Sequence, residues 1–284
     1  MLNDVYRYGV YEKALHRDGL NNMLDKTAEL GFQTFELSLD ESDLRLSRLD
    51  WDRAQRKKLR AMSLDSGVEI YSACFSGQRR FPMGSMDEET RKQSMELMGK
   101  AVRFCAETGI RVIQVAGYDV FYEPSSPETE KRFMEGLFTS ARIASEYGVM
   151  LALETVEYHV TSVAKAMEIV QTVGSPWLQV YPDVANMLTE GFDPVLELRK
   201  GKGHMVGLHT REARRDTCYN LPLGSGELDF PGIYRELRRA EFNSPIVVEL
   251  WYEDDLRGYT ILKDHLDYFR SVDAAVLREI QNAV

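Results

Sequence analysis

Four short apolar runs in the second half of the chain each close on a side chain that can bind a metal. Leu151-Ala152-Leu153-Glu154 ends on a carboxylate, and Gln179-Val180-Tyr181-Pro182-Asp183 ends on another. His204-Met205-Val206-Gly207-Leu208-His209 ends on an imidazole, and Ile246-Val247-Val248-Glu249 on a third acid. Helix-like sequence separates each run from the next. Glu154, Asp183, His209 and Glu249 together form a mixed oxygen and nitrogen ligand set for one divalent cation. Carboxylate-rich ligation with one His suits Mn²⁺, Mg²⁺, Co²⁺ or Zn²⁺ and does not choose among them. A single acid at a strand end is ordinarily a loop residue meeting water. The metal reading rests on four consecutive strands agreeing, since neighbouring parallel strands lie only about 4.8 Å apart. Burying several carboxylates in apolar surroundings without a cation is costly.

Weaker candidates surround this set. Arg79-Arg80, and Arg211 with Arg214 and Arg215, fall in loops after the third and seventh strands, where Arg suits a phosphate. An ordinary solvated charge run is the competing reading. Gly224-Ser225-Gly226 offers backbone N–H groups to an anion, though a plain turn explains it as well. Glu157 and Asn186 each lie three residues past an expected ligand: Glu157 is placed to touch substrate or to orient the next helix, and Asn186 to hydrogen-bond a bound polyol or to cap helix-like structure. His16, His159 and His265 have no ligand partner at suggestive spacing and read as surface residues. Met86, Met95 and Met98 read as the core side of a helix.

The elements that must position these side chains alternate regularly. Strands are expected at 8–11, 32–39, 68–74, 110–116, 149–154, after 174–176, at 204–209 and at 245–249. Helices are expected near 19–30, 53–66, 87–108, 126–147, 162–173, 193–200, 229–240 and 259–283. Gly31, Gly67, Gly109 and Gly148 supply helix stops, and Asp50 or Asp52 a start. Eight such β/α units of roughly 35 residues favour a closed (β/α)8 TIM barrel over an open doubly wound sheet. No Gly-rich dinucleotide fingerprint follows the first strand. In such barrels the active site sits at the C-terminal strand ends, where all four candidate ligands fall. No linker-like tract divides the chain, so residues 1–284 are read as one domain.

Composition narrows the partners. The chain has 284 residues, 44% hydrophobic and 28% charged, with a formal net charge of −10. That balance argues against nucleic acid, whose binding rests on phosphate neutralisation. A small anionic substrate would need a local basic cluster. Cys74, Cys105 and Cys218 cannot all pair and lack CxxC spacing, which points to a reducing cytoplasm. The start, Met1-Leu2-Asn3-Asp4, has no signal-peptide pattern, and no apolar run approaches the ~18 residues of a membrane span.

Several motifs then carry a resemblance. Gly9-Val10-Tyr11-Glu12-Lys13-Ala14-Leu15, Leu46-Ser47-Arg48-Leu49-Asp50-Trp51 and Arg79-Arg80-Phe81-Pro82-Met83-Gly84-Ser85 are three. Gly109-Ile110-Arg111-Val112-Ile113-Gln114, Ala116-Gly117-Tyr118-Asp119-Val120 and Tyr181-Pro182-Asp183 are three more. Nearly end to end, the chain resembles the L-ribulose-5-phosphate 3-epimerase (L-xylulose-5-phosphate 3-epimerase) group of ascorbate catabolism, within the xylose isomerase-like barrels. The resemblance implies one divalent ion on Glu154, Asp183, His209 and Glu249. It implies that Glu154 and Glu249 are also the two acid/base residues, working through a metal-stabilised enediolate. Glu12, Arg80, Glu157, Asn186 and Arg215 are the expected contacts to a ketose phosphate. A cytoplasmic homo-oligomer, dimer or tetramer, is expected. Gln78 stands where the group has a His, Glu157 where an Asp is usual, and Thr210-Arg211-Glu212 where a Lys-Asp pair is common; these positions bear on the substrate. Two alternatives stay open on the sequence: an aldose–ketose isomerase or a 3-epimerase of another sugar, and a sugar-binding protein without catalysis.

Overall fold

The computed structural model describes residues 6–282. The expected readings of Met1-Leu2-Asn3-Asp4 and of Ala283 fall outside them. Eight parallel strands run β1 (Tyr8–Tyr11), β2 (Thr34–Ser38), β3 (Glu69–Phe75), β4 (Val112–Ala116), β5 (Met150–Glu154), β6 (Leu178–Tyr181), β7 (Leu208–Thr210) and β8 (Ile246–Val248). Their order in the sheet is β6-β5-β4-β3-β2-β1-β8-β7. Parallel bridges Val180↔Met205 and Asp183↔His209 join its two ends, so the barrel closes. Helices α1 (Leu20–Leu30), α2 (Asp43–Leu46), α3 (Arg53–Ser66), α4 (Glu88–Thr108), α5 (Pro127–Tyr147), α6 (Val163–Val173), α7 (Val184–Thr189), α8 (Pro194–Lys200), α9 (Phe230–Arg239) and α10 (Arg257–Asn282) surround it. None of the described helices is long and apolar enough to cross a membrane.

Strand alternation sorts the barrel into two layers. Phe35 and Leu37, Ile113 and Val115, Leu151 and Leu153, and Ile246 and Val248 belong to the large apolar core under the helices. The alternate positions point into the lumen, where Tyr11 packs with Cys74 and Val247, and Val112 with Ala152 and Tyr181. That inner face also carries Glu36, Ser72, Gln114 and Glu154, all buried. Apolar packing outside the barrel thus fixes where the polar side chains inside it meet.

The structure departs from the sequence reading in places. The seventh strand spans Leu208–Thr210 rather than 204–209. Gly207 abuts the Tyr181 ring so closely that a Cβ there would lie 2.2 Å from it, and residues before it pair with β6 through the single Met205 bridge, with the His204 ring bonded to Gln179. Two short helices, α2 and α7, were not expected. Ser42 caps the first and Asp183 the second. His265 is buried against Phe269 and bonds Ile261 O at 2.8 Å. The His159 ring is largely covered beside Phe133, 3.6 Å from Glu130. Neither is a surface residue, because each ring has an apolar neighbour and a polar partner. Met98 is buried as expected, but Met86 precedes α4 and is 57% exposed.

Candidate active site

The four strand-end ligands converge. One ligand atom from each of Glu154, Asp183, His209 and Glu249 lies within 4.8 Å of every other, and all four residues are buried. Glu154 ends β5, and Glu249 follows β8 directly. Asp183 is the N-cap of α7: its Oδ1 accepts from the amides of Ala185 (2.8 Å) and Asn186 (3.0 Å), leaving Oδ2 to face the cluster. The capping geometry therefore aims the other carboxylate oxygen into the cluster.

His209 is held from behind. Its Nε2 donates to Glu36 Oε1 at 2.6 Å, while Glu36 Oε2 accepts from Ser72 (2.7 Å) and Tyr181 (2.9 Å). With the proton kept on Nε2, Nδ1 turns toward the acids: 2.8 Å from Glu154, 3.6 Å from Glu249 and 3.9 Å from Asp183. A carboxylate behind a ligating imidazole is the arrangement that fixes the tautomer at metal sites. Burial works against charge on Glu36, but the His209 ring and these hydrogen bonds hold its carboxyl below the usual range. Burial also opposes the imidazolium; Glu36, Glu249 and Glu154 outweigh it and raise His209.

Arg211 adds a cation among the acids. Its Nη1 donates to Asp183 Oδ2 at 2.6 Å and to Glu249 Oε2. Nη2 donates to Asn186 Oδ1 at 2.8 Å, and Nε to Cys218 O at 3.0 Å. The guanidinium also lies over the Trp251 ring. The local charge is still short of balance. Burial, with Glu249 and Asp183 nearby, pushes Glu154 up to about 7 despite its bond to His209. Burial and Glu249 raise Asp183 as well, against the pull of Arg211 and His209. Three converging carboxylates with one imidazole, two of the acids raised by burial and then by neighbouring carboxylates, fit a divalent cation. A cavity of about 370 Å³ opens onto this cluster.

The comparisons decide the family. The model of the xylose isomerase-like TIM barrel matches residues 24–272. L-ribulose-5-phosphate 3-epimerase UlaE of Escherichia coli is 40% identical over 255 residues, 89% of this chain and 90% of that protein. The chain belongs to the L-ribulose-5-phosphate 3-epimerase family of these barrels. UlaE of Salmonella heidelberg matches with the same identity and coverage. Its relatives are epimerases, and the chain is an enzyme of the isomerase class. Among solved structures, an L-ribulose 3-epimerase superposes with a TM-score of 0.81 at 18% identity, covering 98% of each chain. A D-tagatose 3-epimerase-like protein gives 0.78 at 20% identity over 95% of this chain and 99% of that one. At such identities these two speak for the fold alone.

Within this epimerase-family barrel the expected substrate contacts divide. Glu157 and Asn186 line the cavity. Asn186 is already engaged, accepting from Arg211 and donating to Thr155 O at 3.1 Å. Glu12, Arg80 and Arg215, also expected as substrate contacts, are not among its lining residues. The Glu12 carboxylate takes two bonds from Arg48 (2.6 and 2.7 Å), one from Arg45 (3.2 Å) and one from the Ser38 amide (2.8 Å), so it ties β1 to β2. Arg80 points out to Asp43 at 2.6 Å, and Arg215 toward Glu227 at 3.7 Å. The Gly224-Ser225-Gly226 turn already holds an anion, because the Gly224 amide donates to Glu212 Oε1 at 2.6 Å. Arg79, Lys13, Tyr118 and Trp251 line the cavity instead.

Sequence reasoning missed Glu36, the Arg211 bridge and Gln114, which donates to Glu154 Oε2. A signal for Glu36 was present: Thr34, Glu36 and Ser38 alternate with Phe35 and Leu37 in a strand buried on both faces.

Proposed function

We propose that this enzyme inverts carbon 3 of a ketose 5-phosphate, interconverting L-ribulose 5-phosphate and L-xylulose 5-phosphate. The observation that carries the reading is the placement of Glu154 and Glu249. They come from β5 and β8, face one cavity, and bring carboxylate oxygens within 4.8 Å of each other and of Asp183 and His209. The 40% identity to UlaE supports the substrate class.

Epimerisation needs a proton taken from C3 on one face and returned on the other. Glu154 accepts the proton of one epimer while the C2 carbonyl becomes the oxyanion of an enediolate. Glu249 then donates to the opposite face of C3, and the carbonyl reforms. The reverse reaction exchanges the two roles. A divalent cation on Glu154, Asp183, His209 and Glu249 supplies Lewis-acid stabilisation of the charge on the substrate oxygens. Asp183 and His209 hold position, the first through its cap on α7 and the second through Glu36. Arg211 fixes Glu249 relative to Asp183.

Solvent exchange tests the reading. Ketose phosphates incubated with the enzyme in D₂O should gain deuterium at C3 as the epimer forms, and a chelator should stop both. Label at C1, with aldose as product, would instead assign aldose–ketose isomerisation.

A further inference from the structure

Glu154 and Glu249 are anchored differently. Arg211 donates to Glu249 Oε2, so a cation holds that acid. Glu154 is held on both of its oxygens. Oε1 lies 2.8 Å from His209 Nδ1 inside the cluster, and Oε2 accepts from the neutral amide of Gln114. Gln114 lies on β4, in register with Cys74 on β3 and with Ala152 on β5. Ala152 precedes Glu154 by two residues and so shares its face of β5. The small side chain there leaves room for the Gln114 amide to reach across to the carboxylate. Filling the lumen does not account for an amide at this place. Gln114 is fully buried, and its Oε1 has no hydrogen-bond partner among the described residues. Leaving a buried acceptor unpaired is unfavourable, and an apolar side chain of the same length would avoid that cost. The hydrogen bond that the amide does make goes to Glu154.

We infer that Gln114 is the positioning residue for Glu154: its N–H fixes the rotation of the carboxylate, turning Oε1 to the cluster and leaving Oε2 a second acceptor position for the C3 proton. This deepens the reading of the chain as a ketose 3-epimerase and rests on it. The terminal torsion of a Glu side chain is broad, so the side chain alone does not set which oxygen faces which partner. An external donor has to set it. A carboxylate oxygen offers two acceptor positions, and one N–H leaves the other open. A neutral donor suits the task, because a cation on the same oxygen would weaken its hold on a proton. Gln114 thus does for Glu154 what Glu36 does for His209: a side chain deeper in the lumen decides which atom is presented.

The test uses Gln114→Met, which keeps the length of the side chain and removes the donor. With folding confirmed by the melting temperature and Mn²⁺ supplied, kcat should fall about 10- to 100-fold while KM changes less than about threefold. In D₂O the loss of C3 exchange should be confined to the epimer whose proton Glu154 takes, the one that Glu154→Gln also fails to label. Exchange of the other epimer through Glu249 should persist. A vibrational readout needs no substrate. The infrared carboxylate band that Glu154→Gln removes from the metal-free protein at alkaline pH should shift in Gln114→Met. An unshifted band, an unchanged kcat, or equal loss of exchange from both epimers would overturn the assignment. If the unaltered enzyme exchanges no C3 proton but the band still shifts, the positioning of Glu154 stands and the epimerase reading fails.

Discussion

His209 Nε2 lies 2.6 Å from Glu36 Oε1, on the side of the ring away from Glu154, Asp183 and Glu249. β2 and β7 face each other across the lumen at this bond. A buried carboxylate that already accepts from Ser72 and Tyr181 thereby decides which imidazole nitrogen faces the cluster. Ring orientation is a property of the barrel interior, set before any ion binds.

Replacing Glu36 tests that relationship. Glu36→Gln keeps the shape but offers His209 a neutral partner, and its amide can face the ring with N–H. Affinity for Mn²⁺ should fall about 10- to 100-fold. Titration calorimetry of the metal-free protein measures it directly. Unchanged affinity would show that Glu36 serves only to fill the lumen.

Asp183 has two tasks, and two substitutions separate them. Asp183→Asn can still cap α7 through its side-chain oxygen; Asp183→Ala cannot. Both should lose the bound ion, because both remove the charge on Oδ2. In the metal-free state Asp183→Ala should be less stable than Asp183→Asn by about 1 kcal/mol. Urea unfolding together with metal analysis gives both quantities.

The convergence of these four side chains was legible because each closes an apolar strand run, and chain order alone places such ends on one rim of a barrel. Arg211 and Arg79 could be singled out as loop cations, but not their partners, because loop residues have no periodicity to orient them. Arg79 and Arg80 are neighbours of one type, yet a turn sends one to Tyr118 and the other to Asp43. The ion pairs of Glu12 were hidden for a related reason. It follows β1 at the expected rim, but its partners Arg45 and Arg48 come from a segment without a strong helical pattern. The short α7 went unrecognised because the Asp that reads as a candidate ligand is also its cap.

Glu12 should govern part of the acid stability. Burial alone would raise its carboxyl, but the Arg48 and Arg45 guanidiniums and the Ser38 amide hold it below its ordinary 4.5. A depressed folded-state value means that the native state binds this proton less readily than the unfolded chain does. The contribution is therefore fully present above about pH 4.5 and lost as pH falls below it. Glu12→Gln leaves the buried Arg48 guanidinium without its carboxylate, while Arg45 keeps Asp40 and Glu253, and should cost about 3 kcal/mol at neutral pH. The gap between the two proteins should narrow on acidification. Urea midpoints of the metal-free forms from pH 7 to pH 3 check this. A constant gap would mean that Glu12 acts through shape rather than charge.

The two-base assignment makes the sharpest demand. Glu154→Gln and Glu249→Gln keep side-chain size and remove the proton acceptor, so each should lower kcat by a factor on the order of 10² or more. Both residues are also candidate ligands of the four-residue cluster, so ion content must be measured beside the rates. Partner groups differ: Gln114 and His209 hold Glu154, whereas Arg211 holds Glu249. The two variants should therefore fail differently. With metal bound, each should still exchange the C3 proton of one epimer with solvent while failing to interconvert the pair, and the epimer that exchanges should switch between the variants. That switch identifies which face of C3 each carboxylate serves. Exchange of the same epimer by both variants would place the two carboxylates on one face. Full epimerisation in D₂O with no label at C3 would require one shielded base or a hydride shift, and the assignment of Glu154 and Glu249 to opposite faces would have to be abandoned.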